Sequence, residues 1–122
     1  MKFDPEPFVR RIRKDNAVEK EKIRERQEEA ILEAERLAKT IMAADPEVRR
    51  VFLFGSLAEG MPWNPDFDID LAMDGGDIHK AMDLSEDSPF AVHIVELDSL
   101  PEHIRKRVLE KGRELPRQRD VY

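Results

Sequence analysis

Cysteine is absent from the 122 residues, and with it go disulfide frameworks, thiolate nucleophiles and cysteine-based zinc sites. Three histidines, at positions 79, 93 and 103, are too scattered for a histidine-rich metal site. No apolar run approaches the about 18 residues a membrane span needs, so no membrane association is expected. The opening Met1-Lys2-Phe3-Asp4-Pro5 lacks an apolar core of the secretory kind, so a cytoplasmic setting is expected. Excess positive charge is missing too. The 21 Lys+Arg stand against 27 Asp+Glu, a formal net charge of -6, which argues against general DNA binding by phosphate neutralisation. Charged residues make up 39% and hydrophobic residues 40%, so the core must be small and one segment must be largely solvated.

What is present falls into a clear order. Residues 15–44 hold neither Gly nor Pro and are rich in Glu, Lys, Arg, Ala and Leu, which predicts one long helix from about Phe8 to Ala44. In its second half Ile23, Gln27, Ala30, Ala34, Leu37 and Ile41 recur every three or four residues, widened by Ile31 and Ala38. That half should pack on a core. The first part, with Arg10-Arg11-Arg13-Lys14, should project as a charged arm, so the expected division is an arm over 1–26 and a core domain over 27–122. Pro46 pushes Asp45 out of the α region and stops the helix.

Val51-Phe52-Leu53-Phe54 reads as a buried strand. Ser56-Leu57-Ala58-Glu59 has capping-box spacing, which predicts a short helix opening at Ser56. From Asp66 to Met73 apolar and acidic positions alternate, with Phe67, Ile69, Leu71 and Met73 on one face and Asp66, Asp68, Asp70 and Ala72 on the other. Gly75-Gly76 ends this strand, and Asp77 is placed to cap a helix to about Leu84. Phe90 to Leu97 reads as a third strand. Ser99-Leu100-Pro101-Glu102 predicts another capping box, opening a helix that runs to Lys111 and closes on a left-handed Gly112. The order implies an α/β or α+β layer fold: a small mixed sheet backed by helices, with a long N-terminal helix.

Asp68 and Asp70 carry the strongest chemical signal. Two apart on a strand, they point the same way with Cα atoms roughly 6–7 Å apart. Two such carboxylates repel, and a shared divalent cation relieves the repulsion. Between Asp66 and Asp87 there are eight acids and one base, Lys80. The same pattern also fits the solvated face of an edge strand whose charges block aggregation. Gly55-Ser56, between a buried strand and a helix start, aims backbone N–H groups and a hydroxyl at an anion such as phosphate. It fits equally a turn glycine followed by a capping serine. Taken together, the two features suggest a metal–nucleotide site.

The run Phe52-Leu53-Phe54-Gly55-Ser56, then eleven residues, then Asp68-Ile69-Asp70-Leu71 resembles the signature of the DNA-polymerase-β-like nucleotidyltransferase superfamily, in particular its minimal members. The likeness extends over about residues 28–115 and includes Ile104 to Gly112 as a closing helix. It implies the nucleotidyltransferase fold and Mg²⁺-dependent transfer of a nucleoside monophosphate from a nucleoside triphosphate, ATP above all, to a protein or small-molecule hydroxyl. It further implies that Gly55 and Ser56 contact the triphosphate and that Asp68 and Asp70 hold the metals. Some small members of this kind modify a tyrosine on a helical partner within toxin–antitoxin pairs, so a small all-helical protein partner is expected. A homodimer through the N-terminal helix is a further expectation.

The chain departs from the family pattern at three positions. The third carboxylate usually lies in a segment like Val-Asp-Leu-Val; here Val92-His93-Ile94-Val95 places His93 there. An imidazole is a competent base near neutral pH and a metal ligand that suits Mn²⁺ better than Mg²⁺. The alternative is a catalytically impaired module that acts as an antitoxin-like binding partner of a helical protein. Leu57 stands where many relatives have Arg, and Phe67 where many have Ser. Trp63, in the intervening loop, is either a base-stacking group or a packing anchor.

Overall fold

The computed structural model describes residues 6–60 and 67–117, with the long helix's side chains described from Val18 onward. The side chains of Arg10 to Lys14, together with Trp63 and Asp66, lie outside the described residues. Helix α1 spans Glu6–Ala44, a length that the Gly- and Pro-free run over 15–44 sustains. It buries Ala30, Ala34, Leu37, Ala38, Ile41 and Met42, with Ile23 and Ile31 packed at the margin. Full burial of Leu37 or Ile41 contributes about 1.5–3 kcal/mol each. Among the described residues, no helix is long and apolar enough to cross a membrane.

Strand β1 (Arg50–Phe54) leads into the short helix α2 (Gly55–Glu59), followed by β2 (Asp68–Asp74) and α3 (Ile78–Ser85). Then come β3 (Ala91–Glu96), a 3₁₀ turn (Leu97–Ser99), α4 (Glu102–Lys111) and β4 (Arg113–Glu114). The sheet is mixed, in the order β3-β2-β1-β4. β1 runs antiparallel to β2 and β4, and β2 runs parallel to β3. The alternation read from the sequence is realised: Val51, Leu53, Ile69, Leu71, Met73 and Ile94 face α1 and α3 in the main core. On the other face Phe52 and Ala72 pack with Leu97 and Val108, so α4 covers the middle of that face. Phe54 packs at the margin of this covered patch, and Asp70, Asp68 and His93 lie beyond it, at one end of the sheet.

Several local expectations are corrected. Helix α2 begins at Gly55, and Phe54 occupies its N-cap position without a side-chain hydrogen bond, so the Ser56 capping box does not form. The positive φ of Gly55, +77°, turns the chain into the helix one residue early and leaves Ser56 exposed. Ser99 lies in the 3₁₀ turn and donates to Glu96 Oε2 at 3.0 Å, while Pro101 takes the N-cap position of α4. Gly112 closes α4 in extended backbone (φ -75°, ψ 173°) instead of the left-handed region. Its lack of a side chain is needed for another reason: a Cβ there would sit 2.4 Å from the Val108 carbonyl oxygen and 3.0 Å from that of Leu53. Strand β4 was not anticipated. By contrast, Asp77 caps α3 as expected, accepting hydrogen bonds from the backbone N–H groups of His79 and Lys80.

Candidate active site

Register brings the predicted residues together. Phe54, the last residue of β1, pairs with Asp70, and Asp70 pairs across the parallel edge with His93. The bend that follows Phe54 therefore lies directly over the Asp70 side chain. A Cβ added at Gly55 would fall 2.5 Å from Asp70 Oδ2, so only glycine permits this approach. Ser56 follows with its hydroxyl uncommitted to capping. Asp68 and His93 are each 62% exposed at the side chain, and His93 Nε2 lies 3.8 Å from Asp68 Oδ2, beyond hydrogen-bond range.

The electrostatics separate this end of β2 from the other. Asp68, Asp70, Ala72 and Asp74 share one face of the strand. Asp74 is buried and neutralised: Arg49 Nη2 donates to Oδ1 at 2.8 Å and Arg50 Nε to Oδ2 at 2.9 Å, which holds its carboxyl below the usual range. Asp68 and Asp70 have no such partner; among the described residues neither makes an ion pair with Lys or Arg. Burial pushes the Asp70 carboxyl up, His93 opposes this and the charge of Asp68 adds to it. A half-buried carboxylate beside a second one, without a protein cation, is an environment that a bound cation would stabilise.

The donor set fits a hard divalent ion that draws its remaining ligands from elsewhere. Among the described residues no three or more His, Asp or Glu side chains form a metal cage. Magnesium is bound in this incomplete manner, by one or two carboxylates together with substrate phosphates and water. The site thus holds two carboxylates, with the Gly55 bend set against one of them and the exposed Ser56 next in the chain.

The other two departures noted in the sequence fall outside the chemistry. Leu57 and Phe67 are both buried in the main core, at 1% and 6% exposure. Sequence reasoning passed over one wall of the site. A cavity of about 80 Å³ opens beside the bend, bounded by Phe54, Gly55 and Glu59 on one side and by Ile104, Arg107, Val108 and Lys111 of α4 on the other. The signal was present as the three- and four-residue spacing of those α4 positions, but nothing local shows which part of the sheet the helix covers.

Comparison with known proteins agrees with this architecture. A family model described as polymerase beta, nucleotidyltransferase, matches residues 35–120. A solved toxin-antitoxin structure with AMP-PNP superimposes with a TM-score of 0.55 at 23% identity, covering 69% of this chain and 73% of that one. A mutant of the toxin-antitoxin MntA-HpeT gives 0.50 at 23% identity, covering 65% and 68%. At this identity the likeness to solved structures is one of fold. No curated protein gives a significant match.

Proposed function

The chain belongs to the polymerase beta nucleotidyltransferase family, and on that premise we propose that it transfers a nucleoside monophosphate from an NTP, ATP in the first instance, to a hydroxyl acceptor, the acceptor oxygen bonding the α-phosphorus as the bond to the β-phosphate breaks and pyrophosphate leaves. The observation that carries this reading is the contact of the Gly55 bend with the Asp70 carboxylate, which joins a phosphate cradle to an acidic pair. In this reading Asp68 and Asp70 hold Mg²⁺, with Mn²⁺ as the alternative, and the Gly55 and Ser56 N–H groups and the Ser56 hydroxyl bind phosphate oxygens. The ion supplies charge neutralisation on the triphosphate and on the developing oxyanions.

His93 is assigned to the acceptor. Exposed and opposite Asp70 in register, its imidazole accepts the proton of the attacking hydroxyl. AMP-PNP in a neighbour of the same fold supports an adenine nucleotide, and the toxin-antitoxin setting of both neighbours supports a protein acceptor. We assign residues 1–26 as a charged arm that meets this helical partner and residues 27–122 as the nucleotide-binding core.

One observation favours a second reading. His93 stands in the position of the expected third carboxylate, which suits a module that has lost turnover and acts by binding its partner. A single experiment weighs both. Label transfer from α-³²P-ATP by the wild type with Mg²⁺ or Mn²⁺ is the expected result, and Asp68→Asn or Asp70→Asn lowers it by at least ~100-fold, the scale of several kcal/mol of lost charge stabilisation. A wild type that transfers no label while His93→Asp does would establish the impaired module. Unchanged Mg²⁺-dependent NTP binding in the double Asn variant, by calorimetry, would refute the site itself.

A further inference from the structure

Resting on the nucleotide-binding reading, we propose that Lys111 and Arg107 of α4 form the cationic wall of the triphosphate site and contact its β- and γ-phosphates. The argument starts from charge. A nucleoside triphosphate carries about four negative charges near neutral pH, and one divalent ion offsets two of them. The residues already around the bend add to the deficit, since Asp68 and Asp70 are both acidic and Glu59 is offset only by Arg107 of α4. Helix α2, Gly55-Ser56-Leu57-Ala58-Glu59, contains no basic residue, and its Leu57 side chain is turned into the core. The N-terminal part of the site therefore brings no fixed cation to the phosphates.

Helix α4 does. Ile104, Arg107, Val108 and Lys111 recur at three, four and seven residues, so they share one face of the helix, and all four line the cavity that Gly55 also lines. Gly55 is thus common to the carboxylate side and the cationic side, and a polyphosphate seated on its N–H has acids and ion on one flank and α4 on the other. Val108 anchors the helix by packing with Phe52 and Ala72 of the sheet. Arg107 Nη2 donates to Glu59 Oε1 at 2.6 Å, which ties α4 to α2 beside the cavity that both residues line. Lys111, exposed at the C-terminal turn of α4, forms no ion pair among the described residues. An ammonium ion in such a place is a suitable partner for a terminal phosphate.

The test compares a Mg²⁺-bound ATP analogue, methylene-bridged between its α and β phosphorus atoms, with AMP, by calorimetry on the full chain. Lys111→Ala and Arg107→Gln each weaken the analogue by about tenfold or more, the cost of one charged hydrogen bond. AMP binding stays within about twofold, and Lys111→Arg restores the analogue. A merely structural role at the helix C-terminus would move both ligands together. Wild-type-like affinity for the analogue in both variants overturns this proposal alone, because wild-type binding then still stands. Absence of Mg²⁺-dependent analogue binding in the wild type overturns the underlying reading and this proposal with it.

Discussion

At position 55 a methyl group has nowhere to go. Gly55→Ala combines a left-handed backbone, which costs about 1–2 kcal/mol for an L-residue, with a Cβ 2.5 Å from Asp70 Oδ2. The expected outcome is destabilisation by about 1–3 kcal/mol in urea titration and, because the Asp70 carboxylate must move, weakened Mg²⁺-dependent NTP binding. The two acids of β2 with shifted pKa values are expected to respond to pH with opposite signs. Asp74, held low by Arg49 and Arg50, contributes stability that is present above the ordinary carboxylate range and is lost as pH falls through its depressed value. Asp74→Asn therefore melts lower at neutral pH, by about 1 kcal/mol once the exposure of both arginines is allowed for. Asp70 is raised, chiefly by burial, so its ionisation weakens the fold as pH rises from the ordinary carboxylate range through the raised value. Asp70→Asn should melt higher at neutral pH without metal. Both differences from wild type shrink in acid. Thermal melts across the acid-to-neutral range check this, and equal shifts of the same sign would contradict it.

Among the elements, α2 and α3 present a controlled comparison. Both open on a sequence that reads as a cap, Ser56 for one and Asp77 for the other. The structure commits only Asp77, whose Oδ1 accepts from the N–H groups of His79 at 3.0 Å and Lys80 at 3.4 Å. Asp77→Ala is expected to cost about 1 kcal/mol, whereas Ser56→Ala should stay within about 0.5 kcal/mol and lose nucleotide affinity instead. Denaturation and calorimetry on the same two variants separate the roles. If Ser56→Ala costs as much as Asp77→Ala, Ser56 is a cap and the cradle reading of its hydroxyl fails. Strand β4 was illegible because two residues, Arg113 and Glu114, have no measurable period. It exists because the β1 edge needs partners: Leu115 N–H donates to the Val51 carbonyl at 2.8 Å just beyond the strand pair.

Across the whole molecule, one sheet separates two kinds of burial. The face against α1 and α3 carries the larger apolar core, and the opposite face carries a smaller cluster under α4 that stops short of Asp70. The small core expected from composition is therefore divided, and the uncovered end of the second face is where the charged chemistry gathers. The asymmetry follows from the chain itself, since α4 meets that face through a single fully buried residue, Val108.

Sequence alone determined what has a local period. The amphipathic stripe of α1, the alternation that puts Asp68 and Asp70 on one side, and the Asp77 cap all follow from spacings of two to four residues, over which backbone geometry is fixed. Tertiary structure decided what depends on contacts distant along the chain. Pairing of Phe54 with Asp70 set the bend onto the carboxylate, and Arg49 and Arg50 made Asp74 structural while leaving Asp70 available. Docking of α4 brought Arg107 and Lys111 to Gly55. Such register and docking are chosen by burial of side chains dozens of residues apart, and no window of neighbouring residues contains that information.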